Sequence, residues 1–127
     1  MNNPREIALE VAKVLDSKKA VNIVLLEVAH LTVVADCFVI ASGRSANQVK
    51  ALAHEVEDKM AELGLDARRR EGYQEGRWIV LDYASVLVHI FHEQEREYYN
   101  IERLWMDGSN QIPFEPQTDR KSTRLNS

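Results

Sequence analysis

A chain of 127 residues with 45% hydrophobic content can bury one core and is too short for two ordinary domains. Lys and Arg number 16 against 20 Asp and Glu, a net charge of −4, which argues against broad binding to nucleic acid and favours a basic protein partner. The apolar runs fall far short of a bilayer span, the N-terminus MNNPREIALE has no signal-peptide pattern, and a single cysteine excludes an intrachain disulfide, so a cytoplasmic protein without membrane contact is expected.

Asn3, Pro4 and Glu6 supply a cap, a first-turn proline and an acid for a helix whose apolar face is Ile7, Val11, Val14 and Leu15. Residues 21–28, VNIVLLEV, are short and rich in β-branched side chains and predict a central strand. Residues 36–41, DCFVIA, predict a second buried strand in which Cys37 is an inert core thiol, and Gly43 permits the turn that follows. Ser45 and Gln48 form a capping pair for a long helix with the stripe Val49, Leu52, Ala53, Val56, Met60 and Leu63, ended by Gly64. Residues 65–70 predict an edge strand, because Arg68, Arg69 and Arg70 resist burial and blunt an exposed edge.

Residues 77–81 and 86–91 predict an antiparallel hairpin, and one helix is expected over residues 93–105. The fold class is therefore α/β, one domain over residues 1–106 with a mixed five-stranded sheet flanked by helices. Residues 107–118 read as a polar C-terminal extension. Residues 119–127, DRKSTRLNS, resemble a translated adaptor read-through and are taken as a non-native tail; removing their three basic residues and one acid moves the net charge from −4 to −6.

The chemistry carried by this pattern is sparse. Ser42-Gly43-Arg44-Ser45 could cradle a phosphate at a helix start, but it has one glycine and no Lys-Ser/Thr pair, and a capped turn explains it. Two-metal nucleotidyl transfer would need an Asp-x-Asp or Asp-x-Glu pair on a neighbouring strand; Asp36 and Asp82 stand singly. His89 and His92 are three apart, so on one continuous strand they face opposite ways and share no metal. His89 is then a hydrogen-bonded sheet histidine, and His54 lies beside the stripe of the long helix. Neither a catalytic residue, a cofactor nor a metal site is predicted. Trp78, Val80 and Asp82 share one face of their strand and Ile79, Leu81 and Tyr83 the other. Pattern alone leaves two readings of Trp78 open, a partly exposed anchor for another protein or a ring packed beneath a helix.

Residues 35–43, ADCFVIASG, then 48–53, QVKALA, then 78–83, WIVLDY, with Val86, Val88, His89 and Phe91, and finally REYY and ERLW within residues 96–105 together resemble the ribosomal silencing factor (Iojap-like) family. The ordered set, running from about Pro4 to Trp105, carries the resemblance; no single motif does. It implies a nucleotidyltransferase-like fold without that superfamily's catalytic carboxylates, and a translational repressor in place of an enzyme. It further implies binding to the large ribosomal subunit at its protein L-fourteen, blocking the small subunit from joining, with Trp78, Asp82 and Tyr83 as the partner-binding residues. Sequence-specific nucleic-acid binding is not implied, and a homodimer is compatible with it. The short N-terminus points to a bacterial member. One departure is visible: family members commonly carry Gly-Asp where this chain has Ala84-Ser85, and a positive φ there would cost an alanine about 1 kcal/mol. The alternative reading is a nucleotide-binding or nucleotidyltransferase-like enzyme using the Ser42 to Ser45 loop.

Overall fold

The Asn3 side chain accepts the Arg5 amide at 2.8 Å, which starts α1 (Pro4–Ser17) where the cap and proline predicted it. These features belong to a computed structural model that describes residues 3–117. The tail expected at residues 119–127 lies outside the described residues. Two strands follow, β1 (Val21–Glu27) and β2 (Cys37–Gly43), then α2 (Ala46–Glu62), β3 (Arg69–Glu71), β4 (Trp78–Asp82) and β5 (Val86–His92). The sheet order is β3-β4-β5-β2-β1-β6, with β6 (Gln111–Ile112) at the far edge. Only β2 and β5 run parallel; the other neighbours are antiparallel, so the sheet is mixed and open.

Every residue of β2 is buried, as expected for a central strand covered on both faces. On the first face Leu25, Val39, Ile79, Leu81, Val88 and Ile90 pack beneath α1 and α2, whose stripes supply Val11, Leu15, Leu52 and Val56. On the second face Leu26, Phe38, Ile40 and Phe91 form a smaller cluster with Ile101. Its cover is thin. It consists of α3 (Glu93–Tyr99) and α4 (Ile101–Trp105), leaving Val80 and Leu87 only partly buried on the same face.

Two expectations need correction. The sheet has six strands, not five: β6 pairs with β1 through Leu25 and Leu26, and Asn110 secures the join by donating from Nδ2 to the carbonyls of Glu27 and Trp105, both at 2.8 Å. A two-residue strand shows no periodicity, but an unpaired edge on β1 would leave backbone donors and acceptors without partners. The single helix expected over residues 93–105 is two, broken at Asn100 with φ 45° and ψ 53°, a left-handed conformation that asparagine tolerates. The break folds Glu102 back onto Arg96. The buried guanidinium donates from Nε to the Glu102 carboxylate at 2.9 Å and from Nη1 to Ser42 Oγ at 2.9 Å, tying both short helices to the end of β2.

Candidate functional site

The site begins with the alternation of β4. Ile79 and Leu81 are fully buried on the first face, so Trp78 must lie on the second, at the start of the strand and directly across from Phe91. Its indole is partly exposed and held on three sides. The ring stacks on Phe91 with centroids 4.8 Å apart and planes at 24°, and Tyr99 of α3 leans against it at 4.9 Å. The indole Nε1 donates to His89 Nδ1 at 3.2 Å. Trp78 therefore combines features of both sequence readings, packed under a helix along one side and open along another. Gly72 makes room for this arrangement, because a Cβ there would sit 2.0 Å from the Trp78 carbonyl oxygen.

His89 is buried, two pairs along from Trp78 on the same face and directly across from Val80 and Ile40. Accepting the indole proton assigns the neutral imidazole its hydrogen on Nε2, which is buried without a hydrogen-bond partner among the described residues. Burial lowers its pKa from 6.5 to about 4, so the ring is neutral at pH 7. His92, on the opposite side of the strand, caps α3 by accepting the Gln94 amide at 3.2 Å.

Asp82 ends β4 on the Trp78 face, but its carboxylate is buried and engaged. It accepts the Ala84 amide at 2.8 Å and Arg68 Nη2 at 3.3 Å, with Arg69 Nη2 at 3.6 Å. Burial alone would raise its pKa; the Ala84 amide and the two guanidinium groups outweigh that and hold it below the ordinary carboxylate value. Tyr83 turns the other way and is buried in the first-face cluster, where burial, reinforced by Glu57 and Asp66, pushes its phenol well up. Of the three residues singled out in the sequence, Trp78 thus offers its side chain to solvent, while Asp82 and Tyr83 shape the hairpin end from inside. His89, Tyr99, Arg68 and Arg69 complete the arrangement. The pairing of Arg69 with Asp82 across β3 and β4 is an opposite-charge cross-strand contact that register alone reveals.

The turn after Asp82 stores strain: Ala84 has φ 68°. Ala84→Gly is expected to stabilise the protein by about 1 kcal/mol, the left-handed penalty of an L residue less the extra chain entropy of glycine. Denaturant midpoints of the two proteins at equal slope check this, and a midpoint that moves down would contradict it.

The Ser42 to Ser45 loop is internally satisfied. Gln48 Oε1 accepts the Arg44 amide at 2.6 Å, Ser45 Oγ accepts the Gln48 amide at 3.1 Å, and Ser42 Oγ is taken by Arg96. The adjoining cleft of about 330 Å³ is lined by Glu93, Glu97, Glu102 and Arg96; with Arg96 paired to Glu102 the lining keeps a net negative charge, which disfavours a nucleotide phosphate. Among the described residues no group of three or more His, Cys, Asp or Glu could hold a metal ion, and no helix is long and apolar enough to cross a membrane. Cys37 is buried, its thiol pushed up to about 11 by burial and by Glu27 and Asp36.

Comparison with known proteins gives the family context. The family model described as "Ribosomal silencing factor during starvation" matches residues 1–127. The ribosomal silencing factor RsfS of Halalkalibacterium halodurans is 43% identical over 108 residues, 85% of this chain and 92% of the relative. That of Bacillus subtilis is 41% identical over 106 residues, covering 84% and 90%. A crystal structure of a Chromobacterium violaceum protein superposes with a TM-score of 0.80 at 32% identity, covering 91% of this chain and 96% of that one.

Proposed function

The chain belongs to the ribosomal silencing factor family, and on that premise we propose that it represses translation by binding the large ribosomal subunit at protein L-fourteen and blocking the small subunit from joining. It acts in the cytoplasm by occupancy, without catalysis, on a nucleotidyltransferase-like scaffold that lacks the carboxylates such chemistry would use. The observation that supports this reading is Trp78, a partly exposed indole pinned by Phe91, Tyr99 and His89 on the thinly covered face of a net-acidic protein. A rigid aromatic anchor supplies contact area at little entropic cost, and a net charge of −4 suits a basic ribosomal protein better than bare RNA. Trp78 makes the contact; Asp82 and Tyr83 fix the hairpin end that presents it.

The test is co-sedimentation with purified large subunits, small subunits and joined ribosomes. Selective retention by large subunits, with loss of joining when small subunits are added, is the expected result. Retention by none of the three, or equal retention by all, would overturn the proposal.

A further inference from the structure

On the α2 side of the sheet, four side chains converge on Tyr73 in the loop between β3 and β4. The loop closes on itself, with the Gly76 amide donating to the Gly72 carbonyl at 3.2 Å, and it is seated on the first turn of α2, where a Cβ at Gly76 would meet the Ala46 carbonyl oxygen at 3.0 Å. Tyr73 is carried inward by this seating, partly buried against the main core cluster. Its hydroxyl lies 2.6 Å from Nε2 of His54 on α2, and the two rings meet edge to face at 5.1 Å. The Arg70 guanidinium stands 4.4 Å and the Lys50 ammonium 5.5 Å from the centre of the phenol ring. Glu57, one turn beyond His54, completes the group: its Oε1 accepts Arg70 Nη1 at 3.1 Å and lies 3.8 Å from His54 Nδ1.

A clasp that only held the loop would need no more than the hydrogen bond. Here the carboxylate beside Nδ1 favours the tautomer with its hydrogen on that nitrogen, which leaves Nε2 as the acceptor, so the phenol donates and the imidazole is placed to receive its proton. Negative charge that develops on Oη as the proton leaves then faces the Arg70 and Lys50 cations. Beside the phenol lies a cavity of about 390 Å³ lined by Arg70, Gly72, Tyr73, Gln74 and Glu75. Arg70 and Glu75 offset each other in that lining, so it gives no hold to a polyanionic phosphoryl donor and suits an uncharged one. We propose that Tyr73 is a primed nucleophile and an O-acylation site, taking the acyl group of a small, uncharged, activated donor. Oη attacks the carbonyl carbon and forms the ester bond; the bond from that carbon to the leaving group breaks with its electron pair on the leaving group, which receives the Oη proton by way of His54 Nε2.

N-acetylimidazole, an uncharged acetyl donor, tests this on the full chain near neutral pH, with each acetyl-tyrosine located by peptide mass and confirmed by its reversal with hydroxylamine. Exposure alone ranks Tyr98, 80% exposed, and Tyr99, 46% exposed, ahead of the partly buried Tyr73, with buried Tyr83 last. The expected result breaks that order: Tyr73 is acetylated at least about 10-fold faster than Tyr98, a modest share of what a positioned base supplies. His54→Gln keeps an acceptor for the phenol but cannot take up its proton. As a substitution of an exposed side chain it leaves the thermal midpoint near the wild-type value, and it should bring Tyr73 to the Tyr98 rate or below. Tyr98 reacting first in the wild type, a Tyr73 lead that survives in His54→Gln, or acetyl groups on lysines with none on Tyr73 would each overturn the proposal.

Discussion

Trp78→Ala is expected to weaken binding to the large subunit by about 30-fold or more, while the protein remains folded. Truncating a central aromatic anchor typically costs about 2 kcal/mol or more of binding energy, and that converts to this factor. The side chain also contributes to stability, since it stacks on Phe91 and Tyr99 and donates to His89. Because the ring is only partly buried, its removal should cost less than the ~3–5 kcal/mol of a fully buried aromatic, within the ~5–15 kcal/mol total of an ordinary domain. Trp78→Phe separates the two roles: it keeps an aromatic face against Phe91 while giving up the hydrogen bond and part of the ring's area, so its affinity should fall between the others. Equilibrium co-sedimentation beside denaturant unfolding at one temperature checks both. Wild-type affinity in a folded Trp78→Ala protein would remove this residue from the interface.

Much of the site follows from period-two alternation. It groups Ile79, Leu81 and Tyr83 on one face and Trp78 with Asp82 on the other, but which face meets the main core is decided only by α1 and α2 packing on the first. What Asp82 does was not legible, because its partners Arg68 and Arg69 sit at and before a three-residue edge strand whose register has no periodic signature. The break at Asn100 was hidden for a different reason. Tyr98, Ile101 and Leu104 keep helical spacing across it, and asparagine is acceptable both inside a helix and in the left-handed turn that brings Glu102 to Arg96. The parity of β5 did carry the separation of His89 from His92, but the indole as the partner of His89 depends on which residue of β4 lies nearby, a matter of pairing and not of local pattern.

Acid should destabilise this protein through His89 before its carboxylates titrate. The residues facing the imidazole, Trp78, Phe38 and Phe91 with Val80 and Ile40 directly across, carry no charge, so burial alone sets its pKa near 4 against 6.5 for an exposed histidine. The folded-state value is the lower one, so the unfolded chain takes up the proton first. The stability contribution is fully present above about pH 6.5, falls as the pH drops through this window and is exhausted near pH 4. At about 1.4 kcal/mol per pH unit the loss is about 2 to 3 kcal/mol by pH 4.5. Asp82, held below the ordinary carboxylate value, loses its own contribution at lower pH. Protonation also turns Nδ1 from acceptor to donor against the indole N–H, so the Trp78 bond breaks in the same window. Asn at position 89 places an amide oxygen near the former Nδ1 and does not titrate, while every other titrating group is common to both proteins and cancels in the difference. The unfolding free energy of wild type minus that of His89→Asn should therefore fall by about 2 to 3 kcal/mol between pH 7.5 and 4.5, whichever protein is the more stable at neutrality; parallel curves would show that the buried imidazole is not what acid attacks.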